Sequence, residues 1–433
     1  MSWSECCHNG LRRKEGNVRV AAIGQGYVGL PLSIAIASSG HTLYAVEIDP
    51  VRFASLRACR SYIVDVTDEE LRRETQSERY VPVSNLAEVP EVDVYLISTP
   101  TPLTEDKTPD LTYVDRALAQ IAAVAGPGAL IVIESTVYPG ALRRHIAPLF
   151  EQLSGLTSGV DVFFAYSPDR VDPGREGALG DVPKLVSGLG DKALEAIRSF
   201  YGTVFKEVVP VSSCEVAEFT KLLENTFRYL NIAYVNELSK ATSEMNISLR
   251  EVISAASTKP FGFMPFHHGP GVGGHCLPNN VHYLNHALNS AGHKSALLHA
   301  AAEINESMPR HVMQRLSASL EQQGKTLDGA TVLILGVAFK SGVADSRNSP
   351  AFAIGAELVS MGTTVKITDP WLGIDMDAAS FTAVELTAAE CRAADAVLLV
   401  TDHEEIDYET VLASANLIFD CRGMLNAAEV EQL

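Results

Sequence analysis

A chain of 433 residues is too long for one hydrophobic core and predicts two or three domains. Its 34 basic and 53 acidic residues leave a formal charge of −19, which opposes general attraction to nucleic acid or to an anionic membrane surface. An anionic small ligand would need local cations.

No apolar run reaches the roughly 18 residues of a bilayer span, and the opening MSWSECCHNGLRRKEGN lacks the apolar core of a signal peptide. Residues 1–17 read as a flexible extension. Seven scattered cysteines, Cys6, Cys7, Cys59, Cys214, Cys276, Cys391 and Cys421, fit reduced thiols in a cytoplasmic protein better than a disulfide framework. Cys6, Cys7 and His8 have no second ligand pair at metal spacing, so no metal is expected.

From Val18, VRVAAIGQGYVGLPLSIAIASSGHTLYAVEIDP reads as strand, glycine turn, apolar helix and a second strand ending on acids. Strand-like VDVYLIST, GALIVIEST and DVFFAYSP follow, alternating with helical LTYVDRALAQIAAVA. This pattern predicts a Rossmann-type, doubly wound and mostly parallel sheet over 18–212. Helical periodicity takes over across 213–325, in EVAEFTKLLENTFRYLNIAYVNELSKATSEM and HKSALLHAAAEINESMPRHVMQRLSASLEQQ. The βα pattern returns over 326–433 in ATVLILGVAFK, TVKITDP, AVLLVTDH and ANLIFDCRG, predicting a second, smaller Rossmann-like α/β domain.

Gly24, Gly26 and Gly29 form G-x-G-x-x-G between the first strand and its helix, with Glu47 and Asp49 about 20 residues further on. Gly24 permits the tight turn, Gly26 the approach of a pyrophosphate, and Gly29 close helix packing. Glu47 can accept from a ribose 2′-hydroxyl and would repel a 2′-phosphate, which favours NAD over NADP; Arg52 is the nearby counterargument. The same glycines would also serve a turn that binds nothing.

GPGVGGHCLPNN, residues 269–280, sets Cys276 in a loop with little side-chain bulk. Such a cysteine can be a nucleophile helped by backbone N–H groups, or an inert residue buried at a tight turn. Lys221 and Asn225, four apart in a helical stretch, share a face and suit a developing alkoxide. A solvated lysine above an ordinary amide is equally compatible with the periodicity.

Taken with IGQGYVGLPL, STPTPL, ESTVYPG, YSPDRVDPG, KLLENTFRYLNIAYVNEL, TKPFGFMPFHHGPGVGGHCLP, INESMP and GVAFKSGVADSRNSPA, the chain resembles the nucleotide-sugar 6-dehydrogenases over nearly its whole length. ESTVYPG, YSPDRVDPG and GGHC look closer to the UDP-N-acetylhexosamine branch than to the UDP-glucose branch. The resemblance implies an NAD-dependent double oxidation of the C6 alcohol of a UDP-sugar, through an aldehyde, a cysteine thiohemiacetal and a thioester, to the acid. It also implies a homodimer built on the helical centre, and a C-terminal domain that binds the UDP portion.

By position, Cys276 matches the nucleophile, Lys221 and Asn225 the pair that stabilises charge at the C6 oxygen, and Thr136 the hydroxyl that holds a water. Lys340 matches a lysine near the substrate diphosphate, and Arg347 an arginine that reaches the cofactor phosphates. The matching segments add Gln25, Tyr27, Val28, Thr99, Pro100 and Thr101 around the cofactor, and Phe263, Gly273 and Phe339 around the substrate.

Two positions depart from the family pattern. Asn280 stands where an aspartate is usual, and Asp169 where a glutamate is usual. Asparagine can hold a water but cannot take its proton, and aspartate has the shorter reach by one methylene. His267, His268 and His275 offer themselves as replacement bases or as plain loop residues. The readings open at this point are a complete oxidation, a variant that stops at the aldehyde or takes an unusual sugar for a specialised metabolite, and a catalytically weak nucleotide-sugar-binding protein. Hydroxy-acid dehydrogenases of the 6-phosphogluconate type share the Rossmann-plus-helical plan, but they use a lysine without a nucleophilic cysteine.

Overall fold

Strand and helix alternate in this chain so that a mostly parallel sheet is built at one end, a parallel sheet at the other, and long helices lie between them in sequence. The computed structural model describes residues 17–170, 177, 179–245, 247–372, 381–425 and 430–433. Cys6, Cys7 and His8 of the N-terminal extension, and residues 171–174 of YSPDRVDPG, lie outside the described residues. Two compact units divide the chain, residues 1–224 with 282–292 and residues 225–281 with 293–433.

The first unit holds eight strands: β1 Arg19–Ile23, β2 Thr42–Val46, β3 Tyr80–Val83, β4 Val94–Ile97, β5 Leu130–Ile133, β6 Phe163–Tyr166, β7 Lys184–Gly188 and β8 Val208–Pro210. Their order is β3-β2-β1-β4-β5-β6-β7-β8. Pairing is parallel except between β6 and β7, where Ala165 faces Gly188 in antiparallel register. The apolar runs VYLI and LIVI are buried at every residue, as strands covered on both faces require. The helix Gly29–Ser38 packs over this sheet with eight buried residues, so its sequence GLPLSIAIAS is apolar all round.

The second unit repeats the plan with β9 Thr331–Leu335, β10 Thr364–Thr368, β11 Thr382–Ala383, β12 Ala396–Leu399, β13 Ile418–Asp420 and β14 Val430–Gln432. The order is β11-β10-β9-β12-β13-β14, and every pairing is parallel. Both sheets therefore reverse direction at their first strand, between β1 and β4 and between β9 and β12. A doubly wound fold binds its ligands at that crevice.

The predicted helical middle is present as helices Cys214–Glu244, Leu249–Ser257, Cys276–Ser290 and Ala296–Gln322. One reading needs correction: GPGVGGHCLPNN is loop only up to His275, because Cys276 is the first residue of a 15-residue helix. Pro278 falls in the first turn, where no backbone N–H is needed and proline does not break a helix. No helix among the described residues is long and apolar enough to cross a membrane.

Candidate active site

At the carboxyl end of β1 the chain turns sharply. Gly24 sits at φ +91°, and a Cβ there would stand 2.8 Å from the Ser98 carbonyl oxygen. Around Gly26 a Cβ would meet nothing within 4 Å, so this backbone is open to approach. A Cβ on Gly29 would collide with the Gly24 carbonyl oxygen. Gly29→Ala is therefore expected to lower stability by about 3 kcal/mol and to weaken NAD binding, read by thermal melting and by fluorescence titration with NADH.

Glu47 is buried, and its carboxylate accepts from Gln25 N at 3.2 Å and from Asp49 N at 2.9 Å, which fixes it beside the glycine turn with lone pairs to spare. Asp49 is engaged elsewhere: it caps the next helix, accepting from Val51 N and Arg52 N. The exposed Arg52 guanidinium lies over the Tyr62 ring, 5.5 Å from its centre. Gln25 is a scaffold residue, buried and bonded to Ala22 O and to the Tyr80 hydroxyl. Tyr27 and Val28 are half-buried at the mouth of the helix.

On the far side of the same turn, β4 ends at Ile97 and the chain continues through Ser98, Thr99, Pro100 and Thr101. The Thr99 carbonyl accepts from Ser135 Oγ at 2.7 Å, and the Thr101 carbonyl from the Tyr283 hydroxyl at 3.2 Å. Ser98 Oγ and Thr99 Oγ1 are buried with no hydrogen-bond partner among the described residues. Orphaned hydroxyls beside an open glycine turn and a fixed carboxylate are what a bound dinucleotide would satisfy.

Three further residues stand at the ends of β5 and β6. Thr136 is half-buried in the turn after β5. Asp169 follows β6, and Lys221 comes from the helix Cys214–Glu244. Lys221 is only 5 % exposed, so it is not a solvated lysine; Nζ donates to the Asp169 carbonyl oxygen and stands 3.5 Å from its carboxylate. Asn225, one turn on, is buried, and its Nδ2 has no partner among the described residues.

One turn before Lys221, Glu218 is fully buried and accepts from Gly140 N and Leu142 N. Burial pushes its carboxyl up to about 7, against the pull of those two bonds. The native state thus holds a proton that the unfolded chain releases near its ordinary value, and this stabilisation fades as pH rises from about 4.5 through 7. Glu218→Gln is expected to flatten the fall in melting temperature between pH 5 and about 7.5.

In the second unit the glycine loop is moulded to the turn after β9. Gly274 N donates to Arg347 O at 3.0 Å, and Asn348 Nδ2 donates to Gly274 O at 3.1 Å. A Cβ on Gly273 would stand 2.9 Å from Phe339 Cβ, so the loop and Phe339 pack backbone to ring. Arg347 forms a bidentate pair with Asp345, with contacts of 3.0 and 2.6 Å to one oxygen. Lys340 is half-buried and Phe263 is exposed.

Cys276 is exposed, not a buried turn cysteine, and opens its helix. A helix N-terminus favours a thiolate over a thiol. Asn280 follows one turn later, 3 % exposed, with its Nδ2 unpartnered among the described residues. Burial, then Arg422, pulls His268 down to about 4, and burial also lowers His267 and His275.

Three family models cover this chain in succession: the NAD-binding, central and UDP-binding domains of the UDP-glucose/GDP-mannose dehydrogenase family, over residues 18–203, 215–307 and 333–427. The chain belongs to the UDP-glucose/GDP-mannose dehydrogenase family. As a member of it the protein is an NAD-dependent nucleotide-sugar dehydrogenase. It is 33 % identical over 391 residues to a UDP-N-acetyl-D-glucosamine 6-dehydrogenase of Pseudomonas aeruginosa, covering 90 % of this chain and 91 % of that one. The UDP-N-acetyl-D-mannosamine dehydrogenase of Pyrococcus horikoshii is 32 % identical over 421 residues, 95 % of this chain and 97 % of that one. A solved structure of the P. horikoshii UDP-ManNAc dehydrogenase superposes with a TM-score of 0.87 at 30 % identity, over 96 % of this chain and 98 % of that one.

Within this family member, sequence reasoning passed over Glu134, Lys184 and Tyr201, a buried group just behind Asp169. Glu134 belongs to ESTVYPG, and a charged residue closing the apolar run LIVI is the signal for it in the sequence. Among the described residues no cluster of three His, Cys, Asp or Glu side chains is placed to hold a metal.

Proposed function

We propose that the chain oxidises the C6 hydroxymethyl group of a UDP-N-acetylhexosamine to the uronic acid, with Cys276 as covalent nucleophile. The observation that carries this reading is the exposed Cys276 thiol at the head of its helix, with a glycine loop in front of it. NAD, bound by the glycine turn, Glu47 and the 98–101 segment, supplies a hydride acceptor for each oxidation.

Lys221 and Asn225 donate to the C6 oxygen as it gains charge. The aldehyde is captured by the Cys276 sulfur as a thiohemiacetal, and loss of a second hydride leaves a thioester. Asp169 takes a proton from water, the water oxygen bonds to the thioester carbon, and the Cys276 thiolate departs. Per sugar, one alcohol, two NAD and one water give one carboxylate, two NADH and three protons. Thr136 and Asn280 orient water and cannot remove its proton; Asp169, held beside Lys221, is the carboxylate assigned that step. Lys340 serves the substrate diphosphate, Arg347 the cofactor phosphates, and Phe263, Gly273 and Phe339 line the substrate. This division of labour matches domains at 18–212, 213–325 and 326–433, in a compartment reducing enough to keep Cys276 a thiol.

UDP-GlcNAc, UDP-ManNAc, UDP-glucose and UDP-galactose offered with NAD test the substrate. NADH formation from an N-acetylhexosamine in preference to UDP-glucose supports the reading, and the reverse preference contradicts it.

We further propose a homodimer formed along the helix Cys214–Glu244. Val216, Phe219, Leu223, Phe227 and Tyr234 share one face of it and are exposed, Leu223 at 55 % and Tyr234 at 61 %. A stripe of this kind calls for an apolar partner, and a second copy supplies the same stripe. Leu223→Arg is expected to shift the protein from dimer to monomer in sedimentation and to lower its melting temperature, with the far-UV dichroism of the folded chain retained; a variant that still sediments as a dimer contradicts the assignment.

A further inference from the structure

Asp169 reaches one methylene less far than glutamate, so its work as a base depends on where its backbone is held. β7 runs antiparallel to β6, the one antiparallel pairing among the described strands of the first sheet. That reversal brings its first residue, Lys184, to the rim where β5 and β6 end. Lys184 is 6 % and Glu134 1 % exposed. Lys184 Nζ donates to Glu134 Oε2 at 2.5 Å and reaches the Pro168 carbonyl at 3.4 Å. The Tyr201 hydroxyl donates to the other oxygen of Glu134. The Lys184 ammonium also stands 5.3 Å from the Tyr201 ring centre and 5.5 Å from that of Phe205.

Lys221 holds the next carbonyl, that of Asp169. Two consecutive carbonyls are thus each met by a buried ammonium. Burying an ion pair is poor value for stability alone, since apolar side chains of like volume would serve as well or better. Its contribution is a fixed geometry.

We propose that Lys184, held by Glu134 and Tyr201, is a positioning residue that fixes the backbone at 168–169 and so sets the reach of Asp169 for thioester hydrolysis. This rests on the reading of Cys276 as nucleophile and Asp169 as base. The triad touches neither substrate nor cofactor in this account. Its loss slows the step in which water replaces sulfur and leaves both hydride transfers in place.

The test compares wild type with Glu134→Gln/Lys184→Met, which removes both charges together, and with Tyr201→Phe, which removes one hydroxyl. Stopped-flow NADH absorbance gives the first-turnover burst and the steady state, and intact mass reports sugar covalently held on the enzyme. The double variant is expected to keep its burst within about twofold, to lose about 10- to 100-fold in steady state, and to accumulate the adduct. Tyr201→Phe shows the same split at about threefold, and decides the matter if the double variant does not fold. Equal falls in burst and steady state, or no change in either, overturn the proposal while wild-type turnover upholds the functional reading. A wild type that makes no NADH from any UDP-sugar overturns both.

Discussion

Cys276→Ser is expected to lower steady-state acid formation by about 10⁴-fold or more, with NADH binding unchanged. A serine hydroxyl at the head of the helix has nearly the same shape but stays protonated at neutral pH, so it adds poorly to an aldehyde. The second oxidation, which starts from the covalent adduct, loses its substrate. The first oxidation needs no sulfur and is expected to leave detectable aldehyde, trapped as a hydrazone and weighed. Acid formation within tenfold of wild type would put the nucleophile elsewhere; four other described cysteines can be excluded by the same substitution one at a time.

Lys221→Met has the second large effect, and it acts twice. Losing a fixed donor to a developing alkoxide is expected to cost about 10²- to 10³-fold in kcat. Removing the ammonium also takes away the ion-pair partner that stands 3.5 Å from the Asp169 carboxylate, itself only 7 % exposed, and is expected to lower stability by about 3 kcal/mol. A double variant, Lys221→Met with Asp169→Asn, separates the two effects. It is expected to recover most of the melting temperature and none of the first-turnover NADH burst, a step in which Asp169 has no part. Recovery of the burst would remove Lys221 from the chemistry.

Much of this was legible because it is local. The glycine turn, the acid closing β2 and the strand-helix alternation are set by residues within about 30 positions of one another. The second sheet was readable for the same reason. Two kinds of feature were not. The start of the helix at Cys276 lies inside a run of glycines and prolines, and Pro278 reads as a breaker unless one knows it falls in the first turn. The buried pairs are long-range: Lys184 meets Glu134 across 50 residues and Lys221 meets Asp169 across 52, so no spacing rule announces them. Glu218, bonded to amides 76 and 78 residues away, is hidden for the same reason.

Asn280 and Asp169 make completion of the oxidation the point on which the account turns. The decisive measurement is the ratio of NADH formed to UDP-sugar consumed in a reaction run to exhaustion, with the product weighed by mass spectrometry. The account predicts two NADH per sugar and a uronic acid. One NADH per sugar with free aldehyde as the end product would contradict it.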